Sequence, residues 1–285
     1  MEDSGESPSV IRNLLADHPE WFEEREHSAL TASTQGLAAL AREMVARRAL
    51  VEARSEEESA LLDRLRELGR RRGRVKRELD QVWATPETVL ARARRLVEGG
   101  DVQRGLLFLG DDDMTSLAVH LLGVPRRTTV VEVDPDLLRL YEEEAERGGW
   151  EHRSVEHDLR KPFPKAMRRR FGCVFTDPPY APEGFALFVS RAIELLRPDG
   201  RLLVCSGQSR RSSERGLAKQ RMLAEAGVLL EEVLPDFNTY EGARSIGSRS
   251  SLFIGRLTPQ TRPLVTGEAE GPLYTRRSPD GEGDA

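Results

Sequence analysis

Aspartate recurs at four places in the second half of the chain, each time just after a short apolar or β-branched run. Gly110-Asp111-Asp112-Asp113 follows 106–109, Asp134 follows 128–133, Asp158 follows 152–155, and Asp177-Pro178-Pro179-Tyr180 follows 173–176. Carboxylates hold cations, accept hydrogen bonds and take up protons, so a site built from them suits a positive ligand and general-base work. Each also has a structural explanation. Asp113 can cap a helix beginning at Met114, Asp134 before Pro135 is a good cap, Asp158 can close a turn, and Asp177 precedes proline, where extended backbone is preferred. Jointly they point to a common site, because three adjacent carboxylates repel one another and a cationic ligand relieves that repulsion.

The elements that must position these residues are a parallel sheet and its helices. Strand-like runs at 106–109, 128–133, 152–155, 173–176 and 202–205 alternate with helical patterns at 114–122, 135–147, 183–196 and 213–226. That alternation implies a sheet covered by helices on both faces, whose ligand lies outside the carboxyl ends of the strands. Runs at 228–234 and 250–257 have no helix between them and predict an antiparallel edge hairpin. Ahead of the sheet, Thr85-Pro86-Glu87 opens a helix that Gly99-Gly100 ends.

Residues 1–84 read as a helical domain and basic linker. Leu37, Leu40, Ala41, Met44, Val45, Ala49 and Val51 form one stripe, and Ser55 with Glu58 forms a capping box. The catalytic domain spans 85–258, and 259–285, rich in Gly, Pro, Glu and Thr, is expected to be a disordered acidic tail. Between 60 and 104 there are twelve basic and seven acidic residues, concentrated at 70–77. Such a run usually stays solvated or joins domains, and less often meets nucleic acid.

Composition narrows the classes. With 43 Lys+Arg, 48 Asp+Glu and a net charge of −5 over 285 residues, a strongly basic nucleic-acid binder is disfavoured. No apolar run reaches the roughly 18 residues of a membrane span and the start lacks a secretory signal, so a cytoplasmic location without membrane contact is expected. Cys173 and Cys205 lie in apolar runs and read as inert core thiols, with no metal site expected.

Asp134 lies 24 positions after Gly110. Nucleotide-binding α/β domains place an acid about 20 residues beyond the first glycine turn to accept from ribose hydroxyls, so a nucleoside is implied. The turn itself has one glycine and three carboxylates, which would repel a pyrophosphate or an amino-acid carboxylate. NAD and FAD become poor candidates, and S-adenosylmethionine an awkward one. Decarboxylated S-adenosylmethionine, a sulfonium with a primary ammonium and no anion, removes the objection, and a polyamine acceptor would bring further positive charge. This reading needs the carboxylates of the 110–113 turn to face the cleft without neutralising arginines.

Several ordered stretches then carry a resemblance. Asp80-Gln81-Val82-Trp83-Ala84-Thr85-Pro86-Glu87-Thr88-Val89, Leu109-Gly110-Asp111-Asp112-Asp113-Met114-Thr115-Ser116, His157-Asp158-Leu159-Arg160-Lys161-Pro162, Thr176-Asp177-Pro178-Pro179-Tyr180 and Phe237-Asn238 with Tyr240 closely resemble the branched-chain polyamine synthases. These are the N4-bis(aminopropyl)spermidine synthases, and the resemblance covers about 78–258. It implies a Rossmann-like class I S-adenosylmethionine-dependent transferase fold, α/β with a seven-stranded mostly parallel sheet, preceded here by the helical N-terminal domain. It also implies transfer of aminopropyl groups from decarboxylated S-adenosylmethionine, as co-substrate and with no prosthetic group, to the secondary amine of spermidine, with release of methylthioadenosine. Residues 1–77 depart from the winged-helix region and cysteine-bearing linker of archaeal members.

On this reading Asp113 and Asp177 are the candidate proton acceptors. Asp134 takes the ribose and Asp158 the adenine amino group. Gly110 and Asp111 serve the donor, Asp112 an outlying ammonium, and Pro178, Pro179 and Tyr180 the polyamine chain. The expected partners are the polyamine substrate and a second copy through the N-terminal helices. The alternative is a methyltransferase acting on an exocyclic amine of RNA or DNA, because Asp-Pro-Pro-Tyr after a fourth strand also suits an amine held in plane, and 70–77 would then hold nucleic acid.

Overall fold

A computed structural model of the chain describes residues 22–25, 29–32, 56–74, 76, 79, 81–124, 127–207, 213–241 and 249–270. The chain forms two units, Met1–Ala60 and Leu61–Ala285. In the first, β1 (Phe22–Arg25) and β2 (Ala29–Ala32) pair antiparallel, with Phe22 opposite Ala32. This corrects the expectation of helix throughout 1–84. Two four-residue runs three residues apart satisfy their backbone groups across a hairpin, which neither could do as a helix shorter than two turns. The stripe from Leu37 to Val51 and the cap at Ser55 lie outside the described residues.

Residues 56–71 form helix α1, and its Leu65 and Leu68 are buried in the second unit. Helix α2 (Pro86–Glu98) starts as its sequence dictates: Thr85 accepts from the Thr88 amide, Pro86 occupies the first turn, and Gly99 ends it. The sheet follows. Strand β3 (Leu106–Leu109) lies between β4 (Thr128–Glu132) and β6 (Phe171–Thr176), and β5 (His152–Glu156) lies beyond β4. Strand β7 (Leu196–Gly207) pairs parallel with β6. The expected edge hairpin is present: β8 (Val228–Thr239) and β9 (Arg249–Leu257) pair antiparallel, with β9 inserted between β7 and β8.

The sheet order β5-β4-β3-β6-β7-β9-β8 reverses direction at β3, and this sets the site. The chain moves outward through β4 and β5, then returns to the other side of β3 for β6. A crevice opens at that switch, above the carboxyl ends of the strands. Helices α3 (Thr115–Leu121) and α4 (Pro135–Gly148) join α1 and α2 over one face, packed on Phe108, Cys173, Phe175 and Ile254. Helices α5 (Pro182–Leu195) and α6 (Ser213–Glu225) cover the other face, over Leu107, Leu109, Val174 and Phe253. Side chains alternate between faces, so both apolar sets are buried and the strand ends stay in register.

Residues 259–270 are ordered against the second face, correcting the expectation of disorder from 259 onward. The amides of Leu264 and Val265 donate to Ser190 Oγ, and Thr261 Oγ1 donates to the Gly227 carbonyl. Buried Arg191 donates to the carbonyls of Leu159, Arg160 and Gly267. A polar segment can dock without an apolar core when its backbone groups find partners of this kind. Residues 271–285 lie outside the described residues. Among the described residues no helix is long and apolar enough to cross a membrane.

Candidate active site

The crevice at the switch point opens to solvent at the carboxyl ends of the strands. Four strand ends and one strap line it. After β3 come Gly110 and Asp112; at the end of β4, Val131, Glu132 and Val133; after β5, His157, Asp158 and Leu159; after β6, Asp177, Pro178, Pro179 and Tyr180. Leu79, Gln81 and Val82 cross its mouth, and Tyr240 closes the side toward β8. The lining thus holds four carboxylates, and among the described residues neither Lys nor Arg.

The acidic turn is divided in its tasks. Gly110 has φ +66, a left-handed conformation, and a Cβ there would meet Phe188 at 3.2 Å, so the turn needs glycine. Asp111 is buried and points away from the crevice: its two oxygens accept from the amides of Thr115 and Ser116 at 2.9 and 3.0 Å, capping α3. Burial pushes its carboxyl up to about 7. The expectation that Asp111 touches the donor is corrected accordingly, and the capping foreseen for Asp113 is performed by Asp111.

Asp113 is also buried and lies outside the lining. Its Oδ1 accepts from the Ala84 amide at 2.6 Å and its Oδ2 from Arg92 Nη1 at 2.7 Å, with Arg72 at 3.5 Å. Arginine therefore neutralises it, and with both oxygens engaged it is no longer a candidate base. Asp112 alone of the three faces the crevice. Its backbone carbonyl accepts from Arg72, while burial and the adjacent Asp113 hold its carboxyl above the usual range. The condition set by the sequence, carboxylates of the 110–113 turn facing the cleft without arginines, is met by Asp112 and fails for Asp111, which caps α3, and for Asp113, which pairs with Arg92.

At β4 the acid in the crevice is Glu132. Its Oε1 accepts from the amides of Val133 and Asp134 at 2.8 and 3.0 Å, and its Oε2 from the Asp111 amide at 3.2 Å. Asp134, expected at the ribose, instead caps α4 by accepting from the Asp136 amide at 2.9 Å. It also receives Lys76 Nζ at 2.5 Å and Gln81 Nε2 at 3.3 Å. The sequence held the signal, since Glu132 ends a strand 22 positions after Gly110 and Asp134 precedes a proline.

Asp158 lines the crevice beside Arg160, whose guanidinium holds its carboxyl below the ordinary value. His157 stacks on Phe163 at 4.3 Å between centroids. Asp177 sits across from them. Its Oδ2 accepts from Arg92 Nη2 at 2.6 Å and from Tyr240 OH at 2.8 Å. Burial raises its pKa and Arg92 opposes the rise. Tyr180 packs over Gly207, where a Cβ would meet the ring at 2.3 Å, and Lys219 Nζ lies 5.8 Å from its centroid. Arg92 and Tyr240 both bond to Asp177; Tyr240 belongs to a stretch that carried the resemblance, whereas spacing did not single out Arg92. Arg92 nevertheless falls on the buried stripe of α2 with Val89, Ala93 and Leu96, an anomalous place for a cation.

The basic run after α1 turns inward. Arg64 and Arg71 pair with Glu144, Arg71 also with Glu143 at 2.7 Å, and Lys76 with Asp134 and Asp136. Arg72 lies 3.9 Å over the Trp83 ring. These cations fasten the strap and α1 to the acidic turn and to α4, which explains why residues 61–84 belong to the sheet-bearing unit. Among the described residues no group of three or more His, Cys, Asp or Glu could hold a metal ion.

Comparison with known proteins agrees with this geometry. Residues 60–256 match the family described as the branched-chain polyamine synthase A C-terminal domain. An N(4)-bis(aminopropyl)spermidine synthase of Thermus thermophilus is 38% identical over 170 residues, 58% of this chain and 48% of that protein. The enzyme of the same name from Thermococcus kodakarensis is 36% identical over 190 residues, 64% of this chain and 53% of that one. The chain therefore spans about half the length of the curated relatives it matches. A crystal structure of the branched-chain polyamine synthase from Thermus thermophilus, in complex with N4-aminopropylspermidine and 5'-methylthioadenosine, superposes with a TM-score of 0.67 at 29% identity, covering 75% of this chain and 68% of that one. With more than half its length in that match, and with strand-end acids converging on one crevice, the chain belongs to the branched-chain polyamine synthase family.

Proposed function

We propose that this chain transfers aminopropyl groups from decarboxylated S-adenosylmethionine to the secondary amine of a polyamine of the spermidine class, releasing methylthioadenosine. The observation that carries this reading is the lining itself: Asp112, Glu132, Asp158 and Asp177 face one crevice, and while Arg160 pairs with Asp158 and Arg92 with Asp177, among the described residues no ion pair is made at the side chains of Asp112 and Glu132. At an effective dielectric near 20, a carboxylate and a cation about 4 Å apart attract by roughly 4 kcal/mol before desolvation. Polyamine and sulfonium together bring several such charges. The Thermus thermophilus relative, crystallised with N4-aminopropylspermidine and methylthioadenosine, supports the same pair of ligand classes.

The roles follow from position. Glu132 retains lone pairs for the ribose hydroxyls, Asp158 faces the adenine amino group, and Gly110 lets the donor approach the backbone. Asp112 meets an ammonium, and Pro178, Pro179, Tyr180 and Tyr240 wall the aliphatic chain. Asp177 accepts one proton from the secondary ammonium. The freed nitrogen lone pair attacks the methylene next to sulfur, the carbon–sulfur bond breaks, and its electron pair stays on sulfur as a neutral thioether. The product leaves as a tertiary ammonium, so the charge of the released proton, the lost sulfonium and the new ammonium balances. Both reactants are small charged metabolites, which suits the cytoplasmic location expected from sequence. A second copy meeting this chain through its N-terminal region is the further partner proposed.

Calorimetry with the two donors tests the reading. Decarboxylated S-adenosylmethionine should bind at least about tenfold tighter than S-adenosylmethionine, whose carboxylate would face the acidic lining. Mass spectrometry of products from a polyamine panel should then show added aminopropyl groups. Preference for S-adenosylmethionine, with methyl addition to nucleic acid, would overturn the proposal in favour of the methyltransferase alternative.

A further inference from the structure

The buried guanidinium of Arg92 contacts four groups from three other parts of the chain. Its Nε donates to Asn238 Oδ1 at 2.7 Å, its Nη1 to Asp113 Oδ2 at 2.7 Å, and its Nη2 to Asp177 Oδ2 at 2.6 Å and to Tyr240 OH at 3.2 Å. Asn238 is itself fixed, donating to Ser250 Oγ at 2.9 Å. The fork is planar and its three nitrogens are all engaged, so it has little freedom to turn. Each described bond to Asp177 ends on Oδ2: Arg92 and Tyr240 converge there. Oδ1 is left as the oxygen with no described partner, on a side chain that lines the crevice.

We infer that Arg92 is the positioning residue of this site: by gripping Asp177 through Oδ2 and Asp113 through its other arm, it presents Oδ1 of Asp177 to the amine of the acceptor. The inference rests on the proposed aminopropyl transfer with Asp177 as base and deepens it. A guanidinium between two buried carboxylates does two things at once. It fixes the direction of the acceptor oxygen, and it opposes the rise that burial imposes on the Asp177 carboxyl. The charged and titratable groups around Asp177 come from every side: Arg92 of α2, Asp112 and Asp113 of the acidic turn, Cys205 of β7, Lys219 of α6, Tyr240 after β8, and Tyr180 of its own loop. Of these, Arg92 and Tyr240 donate hydrogen bonds to it.

Opposite shifts are expected from the two sides of the bridge. In Arg92→Met the acidic limb of the kcat/KM–pH profile should move up by about one pH unit or more, with activity partly recovered at alkaline pH. In Asp113→Asn, where a like charge is lost and the arginine stays, the limb should move down by a smaller amount. The acceptor amine titrates identically in every variant, so a difference between limbs belongs to the protein. If Arg92→Met fails to fold because Asp113 is left unpaired, the double variant Arg92→Met with Asp113→Asn removes that buried charge, and Asp113→Asn alone reads the linkage with Arg92 in place. A uniform fall in kcat/KM with unmoved limbs, or an upward shift in Asp113→Asn, overturns the inference. Asp177→Asn separates the two levels: if it is inactive while the limbs stay put, only the role of Arg92 falls. If it turns over like the wild type, the assignment of the base falls with it.

Discussion

The two ends of the sheet carry buried polar networks of opposite character. At the carboxyl end, Asp113, Asp177 and Arg92 keep charge inside the fold and pair it. At the amino end, His120 Nε2 meets Thr128 Oγ1 at 2.8 Å, the same hydroxyl meets His152 Nδ1 at 3.1 Å, and His152 Nε2 reaches Ser154 Oγ at 3.2 Å. Burial pushes both imidazoles down to about 4, so near neutral pH this chain of bonds carries no charge. Desolvation acts on both ends alike. At the two imidazoles the fold sheds the proton, whereas at Asp113 and Asp177 it supplies one guanidinium to pair with two buried carboxylates.

The contrast is broken most sharply at Asp177. Replacing it with Asn keeps the shape and one acceptor oxygen but removes the base, and turnover should drop about 10²-fold or more. Steady-state kinetics with saturating donor and acceptor check this. Wild-type turnover in the variant would mean that the charge kept at the carboxyl end serves packing, as at the other end.

A smaller effect sharpens the division of labour within β4. Glu132→Gln should raise the donor KM by about tenfold, the size of one charge-assisted hydrogen bond, with kcat little changed. Asp134→Asn should leave the donor KM alone and lower stability by about 1 kcal/mol or less, because Asn still caps a helix but no longer pairs with Lys76. Donor titrations and urea unfolding of both variants separate the two. The reverse pattern would return the ribose to Asp134.

How far the sequence could be read varies with the range of the interactions involved. Helices α2 and α4 were legible because their caps, first-turn prolines and terminal glycines are local chemistry: Thr85-Pro86 to Gly99 and Asp134-Pro135 to Gly149 are where they begin and end. The edge hairpin was legible from two strand runs with no helix between them. The strand-end acids were legible as a set, but their individual tasks were not. In Glu132-Val133-Asp134 a capping signature and a ribose signature overlap within three residues, and spacing cannot choose between 22 and 24. In Asp111-Asp112-Asp113 the turn sends neighbouring side chains in different directions, and only Met114's left-handed φ of 60, visible in the structure, shows how. Arg92 was illegible as a hub because its partners lie 21, 85, 146 and 148 positions away. The run at 70–77 advertised charge without its counter-charges, which α4 and the acidic turn supply.

The amino end offers the prediction with the least effect on turnover. His120 and His152 bind protons near 6.5 when unfolded but only near 4 when folded, so the unfolded chain gains protons first on acidification. Their contribution to stability is therefore fully present above about pH 6.5, falls as pH drops through that window, and levels off near 4. Each ring changes stability by at most about 1.4 kcal/mol per pH unit inside the window. The carboxyl end has the opposite sign. Asp111, Asp112, Glu132 and Asp177 are raised by burial, so the stability they favour is present at low pH and is lost as pH rises through their folded values. The wild-type curve mixes the two slopes, and His120→Gln isolates one: urea unfolding between pH 4 and 7 should show a shallower acid loss than the wild type, with turnover at neutral pH unchanged. An identical slope in the variant would mean that the imidazole takes up its proton as readily inside the fold as outside it, and the contrast between an uncharged histidine network and a paired carboxylate network would then fail.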